Sequence, residues 1–166
     1  QGVVRAPDGT MDVDVAGGKS NLTDIAARIG LGQLPQIDAF TEKRRELARH
    51  YFTCFDHALG CQLPPENFSD SNWHMFQILL PLDQISISRG EFIDRMRQRE
   101  IGVGVHYPAI HLFTLYRGLG FREGDFPHAE KIGRETVTLP LFPDMSLQDV
   151  ERVCAAIKEI IESAKK

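Results

Sequence analysis

The chain has 166 residues, 42% of them hydrophobic and 25% charged, and it carries a formal net charge of −4 at pH 7. This length and composition are typical of a compact globular domain with a buried core. The acidic balance gives no reason to expect nucleic acid or an anionic membrane surface as a partner. The apolar runs are shorter than a bilayer span and the first residues lack the order of a signal peptide, so we expect a cytoplasmic protein with no membrane partner. Because Gln1 is not an initiator methionine, we expect the sequence to be a piece of a longer one.

The first half of the chain is expected to be an arm followed by helix. Residues 1–20 are rich in glycine and aspartate and have no sustained helical or strand period, which is typical of a connection. A helix is predicted from Asn21, and Pro35 must kink or restart it because proline lacks the amide hydrogen of an interior position. The next residues predict one long amphipathic helix, or two nearly collinear ones, ending near Gly60. Its apolar stripe comprises Ile37, Phe40, Leu47, Tyr51, Cys54 and Phe55.

The second half alternates short apolar runs with helices. Three runs are predicted to be strands: residues 73–81, 101–108 and 135–143. Two of the helices are predicted to begin with a capping box, one formed by Ser88 and Glu91 and the other by Ser146 and Asp149. Two shorter helices, residues 111–116 and 127–133, are expected between the last two strands. Few strands, single helices between them and no glycine-rich phosphate loop favour an α+β fold, with a small sheet covered by helices.

The three cysteines predict neither a disulfide framework nor a zinc ribbon. Cys54, Cys61 and Cys154 are odd in number and show no CxxC spacing. Cys54 and Cys154 both fall on apolar helix stripes, where a thiol packs instead of reacting. We therefore expect free, buried thiols.

A metal site and a nucleotide loop are both disfavoured by spacing. His106 and His111, with His128 downstream, have the chemistry of zinc ligands, but no HExxH or HxH pattern holds two imidazoles on one face. No metal site is therefore predicted. Gly17 and Lys19 precede the predicted helix, yet the upstream glycine of a phosphate loop is missing. A phosphate or carboxylate that contacts Lys19 and the helix start remains an open alternative.

Three segments, taken together, resemble one protein family. They are "GGKSNLTDIAARIGLGQLPQIDAFTEKRRELARHY", "GVGVHYPAIHLFTLY" and "FPHAEKIGRETVTLPLFPDMSLQDVERV". In their order and gaps they resemble the C-terminal half of the DegT/DnrJ/EryC1/StrS family of pyridoxal-phosphate-dependent nucleotide-sugar aminotransferases. The resemblance implies a cytoplasmic, homodimeric enzyme that uses pyridoxal 5'-phosphate. Such an enzyme moves an amino group from an amino acid, expected to be glutamate, onto a keto sugar attached to a nucleotide, and its product feeds lipopolysaccharide, O-antigen or antibiotic sugars.

The same resemblance implies how the chain is divided. Residues 1–20 would be an arm from a large cofactor-binding domain of fold type I, residues 21–60 a long linking helix, and residues 61–166 the small C-terminal domain with a mostly antiparallel sheet. The Schiff-base lysine of the family would lie upstream of this chain. The resemblance therefore implies no catalytic residue here, and the isolated fragment is expected to be inactive.

The family pattern also suggests which residues reach the ligands. Lys19 and Asn21 occupy positions that reach the cofactor phosphate or the substrate, although Gly18 and Ser20 replace the family's aromatic residues beside them. A cation and an amide suit that task.

The segment "HYPAIH" would lie where the small domain meets the active-site cleft, so His106, Tyr107 and His111 are expected to line the sugar-nucleotide side of the pocket. In a purely structural alternative, His106 caps a strand end and His111 caps the next short helix. A second hypothesis for the whole chain also stays open, namely a binding or dimerisation module without chemistry.

Overall fold

The computed structural model describes residues 22–166 and, before them, the backbone of residues 3–5 and 11–13. The chain divides into two compact units, Gln1–Asp38 and Ala39–Lys166. This differs from the division at residues 20 and 60 implied by the resemblance, which stays a prediction. Lys19 and Asn21 lie outside the described residues.

The first unit contains a short strand pair and a helix. Strands β1 (Val3–Arg5) and β2 (Met11–Val13) pair antiparallel, with Val3 opposite Val13. The sequence analysis did not predict this pair, because the alternation around Met11–Val13 is brief, yet three residues suffice to pair with a second extended segment. The assignment of residues 1–20 to an arm stays a prediction. Helix α1 (Asp24–Gln33) begins at Thr23, whose Oγ1 accepts a hydrogen bond from the amide of Ala26 at 3.2 Å.

The helix is interrupted and begins again at Pro35, as predicted. A 3₁₀ turn (Leu34–Gln36) has the proline in its first turn and leads into α2 (Ile37–Cys54). Helix α1 has no buried residue: its apolar side chains Ile25, Ile29 and Leu31 are exposed, as is Leu22 just before the helix.

The second unit has its core between a two-stranded sheet and the helices that cover it. Strands β3 (Phe76–Leu79) and β4 (Thr136–Leu139) pair antiparallel, with Phe76 opposite Leu139 and Leu79 opposite Thr136. The helices are α3 (Arg89–Gln98), α4 (Thr114–Gly118), α5 (Pro127–Glu135) and α6 (Leu147–Glu162). Both predicted capping boxes are formed, one at Ser88 and one at Ser146.

The core joins the predicted stripe of α2 to the sheet and to α6. Tyr51 is fully buried, stacks on Phe76 with ring centroids 4.7 Å apart, and donates a hydrogen bond from its hydroxyl to the carbonyl of Pro140 at 2.8 Å. The apolar face of α6 supplies seven buried residues: Val150, Val153, Cys154, Ala156, Ile157, Ile160 and Ile161. The predicted stripe of α2 is buried at Leu47 and Tyr51, but Ile37 at its start is 55% exposed. On α6 the predicted face is buried from Val150 onward.

The strand predicted over 101–108 does not form. Only Gly104 pairs with Thr138, through two backbone hydrogen bonds of 3.0 and 2.8 Å. Gly102 and Gly104 occupy the positions between the alternating apolar residues, and a glycine inside a strand supplies no side chain to pack and loses more conformational entropy on ordering. The segment instead crosses the edge of β4 as an irregular chain.

The fold class predicted from the sequence, α+β with a small antiparallel sheet and covering helices, is confirmed. Among the described helices, none combines the length and apolar character needed to cross a bilayer.

Candidate functional site

The segment after the Gly104 bridge is fixed to the sheet by His106. Its Nδ1 lies 2.9 Å from the hydroxyl oxygen of Thr138 on β4. Its carbonyl accepts a hydrogen bond from the side-chain amide of Gln77 on β3. The imidazole also lies against Gly104, where an added Cβ would approach the ring carbon Cε1 to 2.7 Å. His106 is therefore held on three sides by its own neighbours.

The next residue, Tyr107, is directed to solvent at the rim of an open groove. Its side chain is 63% exposed. The groove has a volume of about 540 Å³ and a mostly apolar lining that includes Tyr107, Ile110, His111, Tyr116, Phe121 and Phe126. The hydroxyls of Tyr107 and Tyr116 and the imidazole of His111 are the polar groups among these side chains that are able to orient a ligand.

His111 is in the wall of the groove and forms a buried pair with Glu130 of α5. The two side chains are 8% and 5% exposed, and His111 Nε2 lies 3.0 Å from Glu130 Oε1. The ring of His111 also meets Phe126 edge-on, with centroids 4.9 Å apart. This pairing fixes the direction in which the imidazole faces the groove.

The Glu130 carboxylate forms hydrogen bonds with several parts of the chain. Besides His111, its Oε1 accepts hydrogen bonds from the amides of Gly124 at 2.8 Å and Phe126 at 3.4 Å. Burial alone would raise the pKa of this carboxyl, but the hydrogen bonds from Gly124, His111 and Phe126 favour the anion and hold its pKa below the ordinary glutamate value. Glu130 is therefore a buried anion with several donors around it.

Gly133 sets how closely α5 approaches the groove segment. A Cβ at this position would lie 2.5 Å from the amide nitrogen of Ala109 and 3.2 Å from the carbonyl carbon of Pro108. The carbonyl of Gly133 accepts a hydrogen bond of 2.5 Å from Arg89 at the start of α3. Glycine is required here by a close backbone approach.

The structure brings two of the three predicted substrate residues to one place. Tyr107 and His111 both line the groove, whereas His106 faces Thr138 and supports the segment from behind. Sequence reasoning missed Glu130. A carboxylate in the first turn of a helix begun by Pro127 is a signal for hydrogen bonds to the preceding loop amides, although its pairing with His111 needs the fold.

Four of the five described lysines have a polar partner close to the ammonium group. Lys43 Nζ lies 2.6 Å from Glu46, Lys131 Nζ lies 3.9 Å from Glu135, and Lys166 Nζ donates to the carbonyl of Asp83 at 2.8 Å. A 2.9 Å hydrogen bond and the charge of Asp56 raise the pKa of Lys158. A Schiff-base lysine needs the opposite setting, one that favours the neutral amine.

Within residues 22–166, these four lysines therefore lack the setting that a Schiff-base lysine for pyridoxal phosphate needs. The same part of the chain contains no cluster of three or more histidine, cysteine or acidic side chains placed to hold a metal ion.

With the fold and groove defined, sequence comparison gives the class of protein. The family model described as the DegT/DnrJ/EryC1/StrS aminotransferase family matches residues 1–158. This chain belongs to that family.

Relatives and solved structures agree with this membership. The chain is 36% identical over 165 residues to the UDP-4-amino-4-deoxy-L-arabinose–oxoglutarate aminotransferase of Shewanella sediminis, covering 95% of this chain and 42% of that protein. It is 31% identical over 156 residues to the spore coat polysaccharide biosynthesis protein SpsC of Bacillus subtilis, covering 92% and 40%. The crystal structure of DesV from S. venezuelae in complex with a ketimine intermediate aligns with a TM-score of 0.78 and 27% identity, covering 91% of this chain and 40% of that one. The chain thus spans about two-fifths of the length of the curated relatives that it matches.

Proposed function

We propose that this chain is part of a pyridoxal-phosphate-dependent sugar aminotransferase. The reaction would move an amino group from an amino acid, with glutamate as the donor, onto a keto sugar linked to a nucleotide. The observation that carries the proposal is the 36% identity over 165 residues to an enzyme whose name specifies a UDP-linked amino sugar and oxoglutarate. Oxoglutarate is the keto acid left when glutamate gives up its amino group, which supports glutamate as donor.

Within that enzyme, the groove would form one wall of the nucleotide-sugar site. Tyr107 is exposed at its rim, so its hydroxyl is free to hydrogen-bond a sugar hydroxyl or a diphosphate oxygen. His111 would add a second polar contact, oriented by Glu130, and the aromatic lining suits the flat face of a base. His106 would act as a positioning residue through Thr138.

The remaining parts of the proposal come from the family pattern. Lys19 and Asn21 would reach the cofactor phosphate or the substrate, and the Schiff-base lysine would come from outside this chain. The working enzyme would be a cytoplasmic homodimer that supplies amino sugars for lipopolysaccharide or O-antigen synthesis. This chain alone would be inactive, since the Schiff-base lysine would lie outside it.

The first test is an absorbance spectrum with and without pyridoxal phosphate. It compares the 166-residue chain with the full reading frame that encodes it. We expect only the longer protein to gain a cofactor band that borohydride removes and that changes on addition of glutamate. If neither protein binds the cofactor, the aminotransferase proposal fails, and a binding or dimerisation module becomes the better description.

The role of the groove is tested separately in the full-length protein. Tyr107→Phe removes one hydroxyl from an exposed side chain, so folding should be unaffected. We expect this variant to raise KM for the nucleotide sugar several-fold while the spectral change with glutamate alone stays as in the parent. His128→Gln, at an exposed position of α5, is the matched control and should leave both readouts unchanged. A variant with unaltered KM would remove Tyr107 from the substrate site.

A further inference from the structure

Two cysteines that are far apart in sequence lie side by side in the second unit. Cys54 is the last residue of α2 and Cys154 lies within α6, 100 positions further along the chain. Their Sγ atoms are 2.9 Å apart. A disulfide bond is about 2.05 Å long, so closing the remaining gap needs a movement of under about 1 Å.

Ion pairs on both sides hold the two thiols in this register. On one side His50 Nε2 lies 3.0 Å from Glu151 Oε1. On the other side Lys158 Nζ lies 2.9 Å from Asp56 Oδ2. The three contacts between the end of α2 and α6 follow one another in sequence on both sides, with the sulfur contact lying between the two side-chain pairs. The sulfur contact is therefore fixed by the surrounding packing and by two neighbouring contacts.

We propose that Cys54 and Cys154 are a site of reversible oxidation, at which a small-molecule disulfide such as oxidised glutathione closes an intramolecular cross-link between α2 and α6. The Cys54 thiolate attacks one sulfur of oxidised glutathione, which releases one glutathione thiolate and forms a mixed disulfide. The Cys154 thiolate then attacks the Cys54 sulfur and releases the second glutathione. The two protein thiols lose two protons and two electrons: the disulfide of oxidised glutathione takes up the electrons, and the two glutathione thiolates that it releases take up the protons.

Exposure decides which thiol reacts first. Cys54 is partly exposed, whereas Cys154 is buried. Burial raises the pKa of the Cys54 thiol and, with the neighbouring Cys54, that of Cys154, so both groups are mostly protonated near neutral pH. The thiolate is the reacting form, and the cross-link should therefore form slowly at neutral pH and faster in mildly alkaline buffer. Such a pair would respond to a sustained change in redox poise.

The third cysteine provides the control. Burial raises the pKa of the Cys61 thiol to about 12, so this residue shares the desolvated setting without belonging to the sulfur contact. Trypsin leaves Cys54 and Cys61 in one peptide, residues 50–89, and releases Cys154 in residues 153–158. The Cys61→Ala variant therefore makes the peptide assignment unambiguous.

The experiment equilibrates four versions of the folded 166-residue chain with oxidised glutathione in mildly alkaline buffer: the parent, Cys61→Ala, Cys54→Ala and Cys154→Ala. We expect the parent and Cys61→Ala to lose two hydrogen masses, retain no glutathione and yield a linked pair of the two peptides. Their Tm should rise by at least about 5 °C over the reduced form, because the link closes a long loop. Neither variant that lacks one thiol of the pair should show the link or the rise.

Two results would overturn the inference. One is that both thiols of Cys61→Ala can still be alkylated after equilibration with glutathione. The buffer is one that oxidises a reference peptide with two unstrained thiols. The other is that Cys54 and Cys154 each keep a separate glutathione, which would mean that the protein holds the sulfurs apart.

Discussion

Replacing Gly133 with alanine tests the close approach of α5 to the groove segment. In an ordinary helix this change stabilises by about 1 kcal/mol, because alanine loses less conformational entropy. At Gly133 the new Cβ would meet the amide nitrogen of Ala109 at 2.5 Å, while ordinary contact begins near 3.4 Å. Helix and segment would have to separate by about 0.9 Å, the difference between these two distances.

Neither α5 nor the groove segment can move away from the other without a loss of stability. The contacted atoms are backbone and cannot rotate aside, and Arg89 holds the carbonyl of Gly133. Overpacking of this kind costs about 1–3 kcal/mol. After the gain in helix propensity is subtracted, we expect Gly133→Ala to lower the free energy of unfolding by up to about 2 kcal/mol.

The matched control is Gly118→Ala at the end of α4, where an added Cβ meets nothing within 4 Å. The assay is urea unfolding followed by the fluorescence of Trp73, the single tryptophan, which is buried beside Phe76. The difference between the two variants isolates the steric cost, since both make the same chemical change. Equal stabilities for the two variants would refute the packing argument.

Four further substitutions test other contacts of the second unit. Tyr51→Phe leaves the carbonyl of Pro140 without its buried donor, so we expect a loss of about 1–2 kcal/mol in the same urea assay. Glu130→Gln removes a carboxyl whose pKa is lowered by folding. The stability that its anion contributes is complete above about pH 4.3 and is lost as the pH falls through the folded pKa. The Tm values of parent and variant should therefore differ most near neutral pH and converge in acid. Ser146→Ala and Ser88→Ala each remove the hydroxyl of a capping box and should cost about 1 kcal/mol, adding together in the double variant because they lie on different helices; a loss in the double variant no larger than in either single one would contradict independent caps.

The helices of the second unit were the most predictable part of the chain. The capping boxes at Ser88 and Ser146 are local patterns, and the apolar stripes of α2 and α6 repeat at helical spacing over several turns. Signals of this kind depend on neighbours within one turn or on periodicity, and both are present in the sequence itself.

The strand expected over 101–108 shows where local patterns fail. Alternating Ile101, Val103 and Val105 resemble a strand, but the glycines between them and the packing of His106 onto Gly104 leave a single bridge to Thr138. Whether an alternating run pairs with a neighbour depends on distant residues, and β3 already satisfies the other edge of β4.

The candidate site was predictable only in part. Tyr107 and His111 were proposed from a motif, and the groove brings them together, while their role in binding stays a prediction. Glu130 pairs with a histidine 19 positions away, and Gly133 is required by backbone that precedes it by more than 20 residues. Contacts of this range follow from tertiary packing and leave little trace in a single sequence.

The hydrogen bonds of Glu130 have a consequence for how this protein can change. The Glu130 carboxylate is hydrogen-bonded to both His111 and Gly124, so residues 112–123 form a loop whose two ends are held together by one side chain. The entropy of closing such a loop depends only weakly on its length. Insertions or replacements within residues 112–123 would therefore reshape the groove at little cost in stability to the rest of the second unit.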